Sequence, residues 1–468
     1  MTNPSQLLPL LCLVAVGLLL TSLWQSRTGT VERSEAALAS ATLIAGLTLV
    51  TVPPAVSVWA KGPGWPTYSA AWPAAADSMQ KYLGYGVLLL EVLALICLLG
   101  ARGRRRSMGA AGALLLGWQG VWLLSTQSQG QQVTLFLILL PGLVVILVKS
   151  RVSSGKVLSI FLAGSFIVCG GSLVGGWLFP ERFVVPPNRT FGLLFPGRLV
   201  GLIDDPNLLG AVASVLIIGA AYRWHGWTRL GAIVTGVATI TFTDSRSALV
   251  ACLAAAAAGM LRWLLAHRAG SDRVSLLMAV VLSSGAVGVV IMLNSYLGSQ
   301  TDLSTLDGRR QIWDSLVSSV GGSRLIGLGA AAFTSLQSEG VVGSSIGSGH
   351  NAWIDTYVHA GMLGLAMMVT LQLVLGVKAF RAVAVDNGLS FALFVLLMMR
   401  SVSEPQITTG YLAWNALITV LLIVIVPPGG YRQGPPVSAS DPQEEPRSTA
   451  EDDPAPAPRL SPLRSPAR

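Results

Sequence analysis

The chain has 468 residues, of which 52% are hydrophobic and only 11% charged, with a formal net charge of +9. Soluble domains carry a charged fraction of about 25%, so a water-soluble globular enzyme is excluded. The basic residues are scattered over the loops between apolar runs, which excludes nucleic-acid binding as the reason for the positive charge.

Taken in chain order, apolar runs cover 6–24, 36–59, 83–101, 108–124, 131–148, 156–178, 207–222, 228–242, 247–266, 274–293, 353–377, 388–402 and 409–426. Each approaches the ~20 residues that a spanning helix needs, which predicts about twelve to thirteen transmembrane helices. The runs are continuous rather than alternating, so they read as helices and not as barrel strands. The expected fold class is therefore all-α, a polytopic membrane helical bundle. The first run lacks the basic flank and small-residue cleavage site of a signal peptide and is read as a membrane helix. Cys12, Cys97, Cys169 and Cys252 each lie inside an apolar run without metal-ligand spacing, and read as small buried hydrophobes.

Basic residues recur in alternate loops: Arg27 and Arg33, then Arg102 and Arg104 to Arg106, Lys149, Arg151 and Lys156, Arg223 and Arg229, Arg262, Arg268 and Arg273, and finally Lys378 and Arg381. The positive-inside rule makes that side cytoplasmic, in a multi-pass protein of the cytoplasmic (inner) membrane. The loops 60–82, 125–130, 179–206, 243–246, 294–352 and 403–408 then face outward. Three parts are expected: N-terminal transmembrane helices (1–194), a second transmembrane region (195–426) that includes the long extracytoplasmic loop 294–352, and a cytoplasmic tail (427–468). The tail is rich in Pro, Ser and acidic residues and is expected to be disordered.

Polar clusters stand out on the outward side. Arg198 is followed by Asp204-Asp205-Pro206-Asn207, where Asp205 or Asn207 is suited to cap the next helix after a proline turn. Thr243-Asp244-Ser245-Arg246-Ser247 is a very short turn between apolar runs. An unpaired arginine at membrane depth costs about 2.5–3.5 kcal/mol, so Arg246 either pairs with Asp244 or meets an anion in a polar cavity. Asp307-Gly308-Arg309-Arg310-Gln311-Ile312-Trp313 opens a stretch in which Ile312, Leu316 and Val320 recur at helical spacing. That pattern predicts a short amphipathic helix along the membrane surface. The segment 324–329, Arg-Leu-Ile-Gly-Leu-Gly, predicts a glycine-rich turn.

Ser348-Gly349-His350-Asn351 puts a histidine at a helix start, with Asn351 as a cap, and Asp355 and His359 share a face one turn apart. A metal site of His350, Asp355 and His359 is a weak reading, because no zincin pattern and no cysteine partner accompanies it. Arginine forks recognise phosphate and stay charged, while a neutral histidine takes a proton from a hydroxyl near pH 7. Such a set suits attack of a hydroxyl on a glycosyl diphosphate, the arginines holding the departing diphosphate.

The order of Asp205-Pro206-Asn207, Ser245-Arg246, Gly308-Arg309 with Trp313, Gly327-Leu328-Gly329, and His350-Asn351 followed by Gly361 and Gly364 resembles the O-antigen ligase / O-antigen polymerase superfamily. The resemblance covers roughly 195–425. It implies a fold related to the GT-C membrane glycosyltransferases. It also implies transfer of a glycan from undecaprenyl diphosphate to a hydroxyl acceptor on the outer face, without metal or other cofactor. In that resemblance Arg246 and Arg309 contact the diphosphate, with Arg310 as their neighbour, and His350 is the catalytic base. Arg198, Asn207 and Glu404 are further substrate-binding candidates from their position alone. The implied acceptor is a lipid, a wall polymer, a protein or a growing glycan, the last of which would make the chain a polymerase. A transporter or flippase of an anionic lipid-linked substrate is the alternative; it would set its ionisable groups at the bilayer midplane in repeated halves, a pattern not found here.

Overall fold

The computed structural model describes residues 31–61, 73–100, 108–133, 135–150, 152–185, 197–268, 304–343, 348–405 and 414–426. The runs expected at 6–24 and 274–293, and the tail 427–468, lie outside the described residues.

The apolar runs form helices, as continuous hydrophobicity requires. In chain order these are α1 (Val31–Lys61), α2 (Ala74–Gly100), α3 (Gly109–Ser128), α4 (Phe136–Lys149), α5 (Ser154–Leu178) and the single turn α6 (Pro180–Phe183). They continue with α7 (Pro206–Arg223), α8 (Gly226–Thr243), α9 (Arg246–Arg268), α10 (Ser304–Ser319), α11 (Ala332–Ser338) and α12 (Ala352–Arg381). The last are α13 (Val383–Asp386), α14 (Leu389–Ser403) and α15 (Trp414–Ile425). Among the described residues, 6 helices are long and apolar enough to cross a membrane, and α4, α14 and α15 are shorter apolar helices. This is a polytopic helical membrane protein. Among the described residues, extended structure is confined to a strand pair, β1 (Val184–Val185) with β2 (Arg198–Leu199), antiparallel, with Val185 opposite Arg198.

Helix starts follow local chemistry. Pro206 occupies the first turn of α7, where its missing N–H costs nothing, and the Asp205 carboxylate accepts from the Asn207 and Leu208 amides. Asn351 caps α12 by accepting from the amides of Trp353 and Ile354. Small residues set helix spacing: a methyl group on Gly210 of α7 would come within 2.7 Å of Ala248 on α9. The main core contains Trp118, Trp122, Phe161 and Trp414, all fully buried, with Phe161 and Trp414 edge to face at 5.3 Å.

A smaller second core lies under α10 and α11, built from Leu316, Val320, Phe333, Leu336 and Val358. It corrects the expectation for the stretch around Ile312. The apolar stripe of α10 packs on α11 and α12 rather than on a lipid surface, because Leu316 and Val320 find protein partners there.

α12 is broken. Gly361 sits at φ 63 and ψ −162, which frees backbone groups inside an apolar helix. The predicted glycine turn satisfies them: the Leu328 and Gly329 amides donate to the Val358 and His359 carbonyls, and the Met362 and Leu363 amides donate to the Arg324 and Leu325 carbonyls. Irregular backbone in a membrane helix persists only where protein supplies such partners. Gly327 and Gly329, at φ 80 and φ 78, lie flat against α12 and α3; a side chain on Gly327 would meet the His359 carbonyl carbon at 2.5 Å. Gln131 fixes the turn from the other side, donating to the Leu328 carbonyl at 2.8 Å and accepting from the Ala331 amide at 2.7 Å.

Candidate active site

The starts of α7, α9 and α12 and the end of α14 converge at one end of the bundle. Asn207, in the first turn of α7, is the hub. Its side-chain oxygen accepts from Arg198 Nη2 at 3.2 Å and from Ser245 Oγ at 3.3 Å, and its backbone carbonyl accepts from Arg400 Nη2 at 3.1 Å. Arg400 also donates from Nη1 to Ser247 Oγ at 2.9 Å and is only 2% exposed. Arg198, fixed by the strand pair, donates from Nε to the Thr243 carbonyl at 3.0 Å. Arginine and asparagine thus join the ends of α7, α8, α9 and α14 into one polar floor.

His350 stands on this floor with a left-handed backbone, φ 50, a conformation that non-glycine residues hold only when their surroundings fix it. Asp355 supplies part of that fixing by accepting from the Gly349 amide at 2.6 Å, and Trp313 donates from Nε1 to the Gly349 carbonyl at 2.7 Å. Nδ1 of His350 lies 3.5 Å from Oε2 of Glu404; the histidine side chain is 42% exposed and the glutamate 9%. A carboxylate on one ring nitrogen favours the tautomer that leaves the other nitrogen free to accept a proton. Asn351 closes the arrangement by donating from Nδ2 to the Val402 carbonyl at 3.3 Å.

Charge at the floor is balanced rather than neutral. Desolvation pushes the Asp205 carboxyl above the usual carboxylate range, and neighbouring Glu404 pushes it further. The two amides it caps and the Arg400 guanidinium pull it down without cancelling the rise.

The structure brings together His350, Glu404, Asn207 and Arg198 among the expected site residues. Arg246 starts α9 beside Ser245 and Ser247 and is exposed, as is Asp244; no ion pair links these two among the described residues. Arg309 and Arg310 lie on α10, but their side chains are outside the described residues. Asp355 and His359 are both buried and structurally engaged: His359 Nδ1 bonds the Asp355 carbonyl at 2.8 Å and its ring lies 4.8 Å from Trp122 and 5.3 Å from Phe333. Sequence reasoning missed Arg400. Its signal was present: a lone cation near the end of the apolar run 388–402, one helical turn before Glu404.

Fold and site together define a helical membrane protein with a charged, histidine-bearing site where several helix ends meet. Residues 231–369 match the family model described as O-antigen ligase. Over 273 residues the chain is 27% identical to the exopolysaccharide production protein ExoQ of Rhizobium meliloti (strain 1021), covering 53% of this chain and 61% of that protein. The chain thus spans about three fifths of that relative's length. Both matches are similarities of part of the chain, with residues 231–369 resembling the O-antigen ligase family.

Proposed function

We propose that the chain is a membrane glycosyltransferase that moves a glycan from undecaprenyl diphosphate to a hydroxyl acceptor at the outer face of the cytoplasmic membrane. The observation that carries this reading is the pair of His350 and Glu404, 3.5 Å apart with the histidine exposed, on the same helix-end floor as Arg246. The acceptor hydroxyl gives its proton to Nε2 of His350, and its oxygen bonds to the anomeric carbon of the donor sugar. The bond from that carbon to the diphosphate breaks, and undecaprenyl diphosphate leaves with the electron pair.

Arg246, with Arg309 and Arg310 from α10, receives the diphosphate. A cation in the first turn of a helix is repelled by the helix dipole by about 0.3–1 kcal/mol. Arg246 at the start of α9 therefore makes sense where an anion is drawn to both. Arg198 and Asn207 set the floor under the substrate, and Glu404 holds the base.

Likeness to an exopolysaccharide production protein favours a second form of the same reading, in which the acceptor is itself a growing glycan. Purified protein in nanodiscs, given a radiolabelled undecaprenyl-diphosphate glycan and a membrane extract from its own cells, tests both. Label should pass to a new product with wild type and not with Arg246→Ala or Arg309→Ala. A single discrete product marks a ligase and a ladder marks a polymerase. Absence of transfer, with donor bound equally by all three proteins, overturns the proposal.

A further inference from the structure

A groove of about 680 Å³ opens between α10, the turn at Arg324 and the outer half of α12. Its walls include Trp313, Asp314, Ser318, Arg324, Tyr357 and Met362. The volume falls within the ~300–1,000 Å³ usual for small-molecule sites, which pair aromatic walls with a few fixed polar groups.

This lining has a definite character. Trp313 and Tyr357 offer flat apolar surface, while Asp314, Ser318 and Arg324 offer acceptors and donors. A sugar ring has the complementary form, with apolar C–H faces and a hydroxyl edge. Trp313 is not a loosely held interfacial tryptophan, because its indole N–H is committed to the Gly349 carbonyl at 2.7 Å. That bond ties the groove wall to the residue next to His350. Ile354, another wall residue, would lie 3.6 Å from a side chain placed on Gly349, so the groove reaches the loop that carries the base. Its apolar end is Met362, 59% exposed, the first residue after the break at Gly361. From Gly361 to Arg381 the helix is about 31 Å long at ~1.5 Å per residue, which by itself matches a bilayer core. The groove therefore runs from the bilayer surface toward His350.

We propose that this groove is the acceptor subsite, seating the sugar that carries the attacking hydroxyl, with its ring on Trp313 and Tyr357 and its hydroxyls on Asp314 and Arg324. The proposal rests on the reading of His350 as base for glycosyl transfer. Tyr357→Ala and Arg324→Gln are the test, since neither residue holds the Gly349 loop.

In nanodiscs each variant should raise the acceptor KM by roughly tenfold or more, with kcat at saturating acceptor and donor KM close to wild type. In the form of the reading whose acceptor is a growing glycan, saturation-transfer NMR should in parallel detect binding of oligosaccharides released by mild acid from the cell's own polyprenyl-linked glycans, and Tyr357→Ala should lose it. If donor KM rises instead, the groove serves the donor. If neither KM nor oligosaccharide binding changes while transfer persists, the groove is only a membrane-interface belt; either result overturns the subsite. If wild type shows no transfer yet binds the oligosaccharides through Tyr357, glycosyl transfer fails and a glycan-binding groove stands.

Discussion

The two ends of the helix bundle use cations differently. At the end carrying most of the basic loops, arginines close helix termini. Arg229 donates from Nε to the Trp224 carbonyl at 2.7 Å, just past the end of α7. Arg262, 7% exposed, donates to the Phe380 carbonyl at 3.3 Å and lies 4.0 Å from the centre of that ring, near the end of α12. Cations there satisfy orphan carbonyls and oppose the negative helix pole. At the other end the partners also include side chains of distant segments: Asn207 with Arg198, Ser247 with Arg400 and Glu404 with His350. The first arrangement satisfies helix-terminal carbonyls, locally at Arg229 and from α9 across to α12 at Arg262. The second joins distant segments and leaves a histidine exposed, which is the pattern of a site rather than of topology.

That contrast gives its sharpest test at His350, the proposed base. His350→Ala should lower kcat by about 10²–10⁴, equivalent to ~3–5 kcal/mol, with donor KM little changed. Steady-state kinetics at saturating acceptor reads this directly, and normal turnover would sink the assignment. Arg400→Met comes next. It leaves the Asn207 carbonyl and Ser247 without their buried donor and should cost about 3 kcal/mol with loss of transfer. Arg262→Met, at the opposite end, should cost only ~1 kcal/mol and keep transfer. Equal effects of the two arginine changes on transfer would erase the distinction between ends.

Gly361→Ala probes the broken helix between them. A methyl group there would meet the Leu325 carbonyl at 2.5 Å at φ 63, so thermal unfolding should show a loss of about 1–3 kcal/mol. Asp205 gives the smallest effect. Asp205→Ala should cost ~1 kcal/mol through loss of the cap, whereas Asp205→Asn keeps the cap and should cost a few tenths at most. Because the folded protein raises the Asp205 carboxyl, it holds that proton more tightly than the unfolded chain. Its contribution to stability is thus fully present below the unfolded carboxylate value and lost as pH rises through the folded one. Asp205→Asn should flatten this part of the pH–stability curve, as read by thermal unfolding across the acidic range.

Much of this was legible in the chain because membrane helices announce themselves by continuous apolarity and helix starts by cap residues. The expected runs at 156–178 and 207–222 emerge within a residue or two as α5 and α7, and Asp205 and Asn351 cap as their type and position predict. The glycines at 327 and 329 were readable as a turn, but not as a clasp on α12, since backbone pairing across distant segments leaves no periodic trace. The same limit hid Arg400, whose partners on α7 and α9 lie far away in sequence. What covers α10 was hidden for another reason: an amphipathic stripe does not say whether lipid or protein covers it, and here Phe333 and Val358 do.

The clasp at Gly327 and Gly329 also divides the insert before α12 into a part whose length is fixed and a part open to engineering. Residues 324–331 are pinned to α12 and Gln131, so an insertion there would pull on the loop holding His350. Gly340, by contrast, is an exposed turn at φ 73 with no atom within 4 Å of an added side chain. An epitope or fluorophore grafted at Gly340 gives a handle for antibody labelling of intact cells, reporting the sidedness of the protein without touching His350.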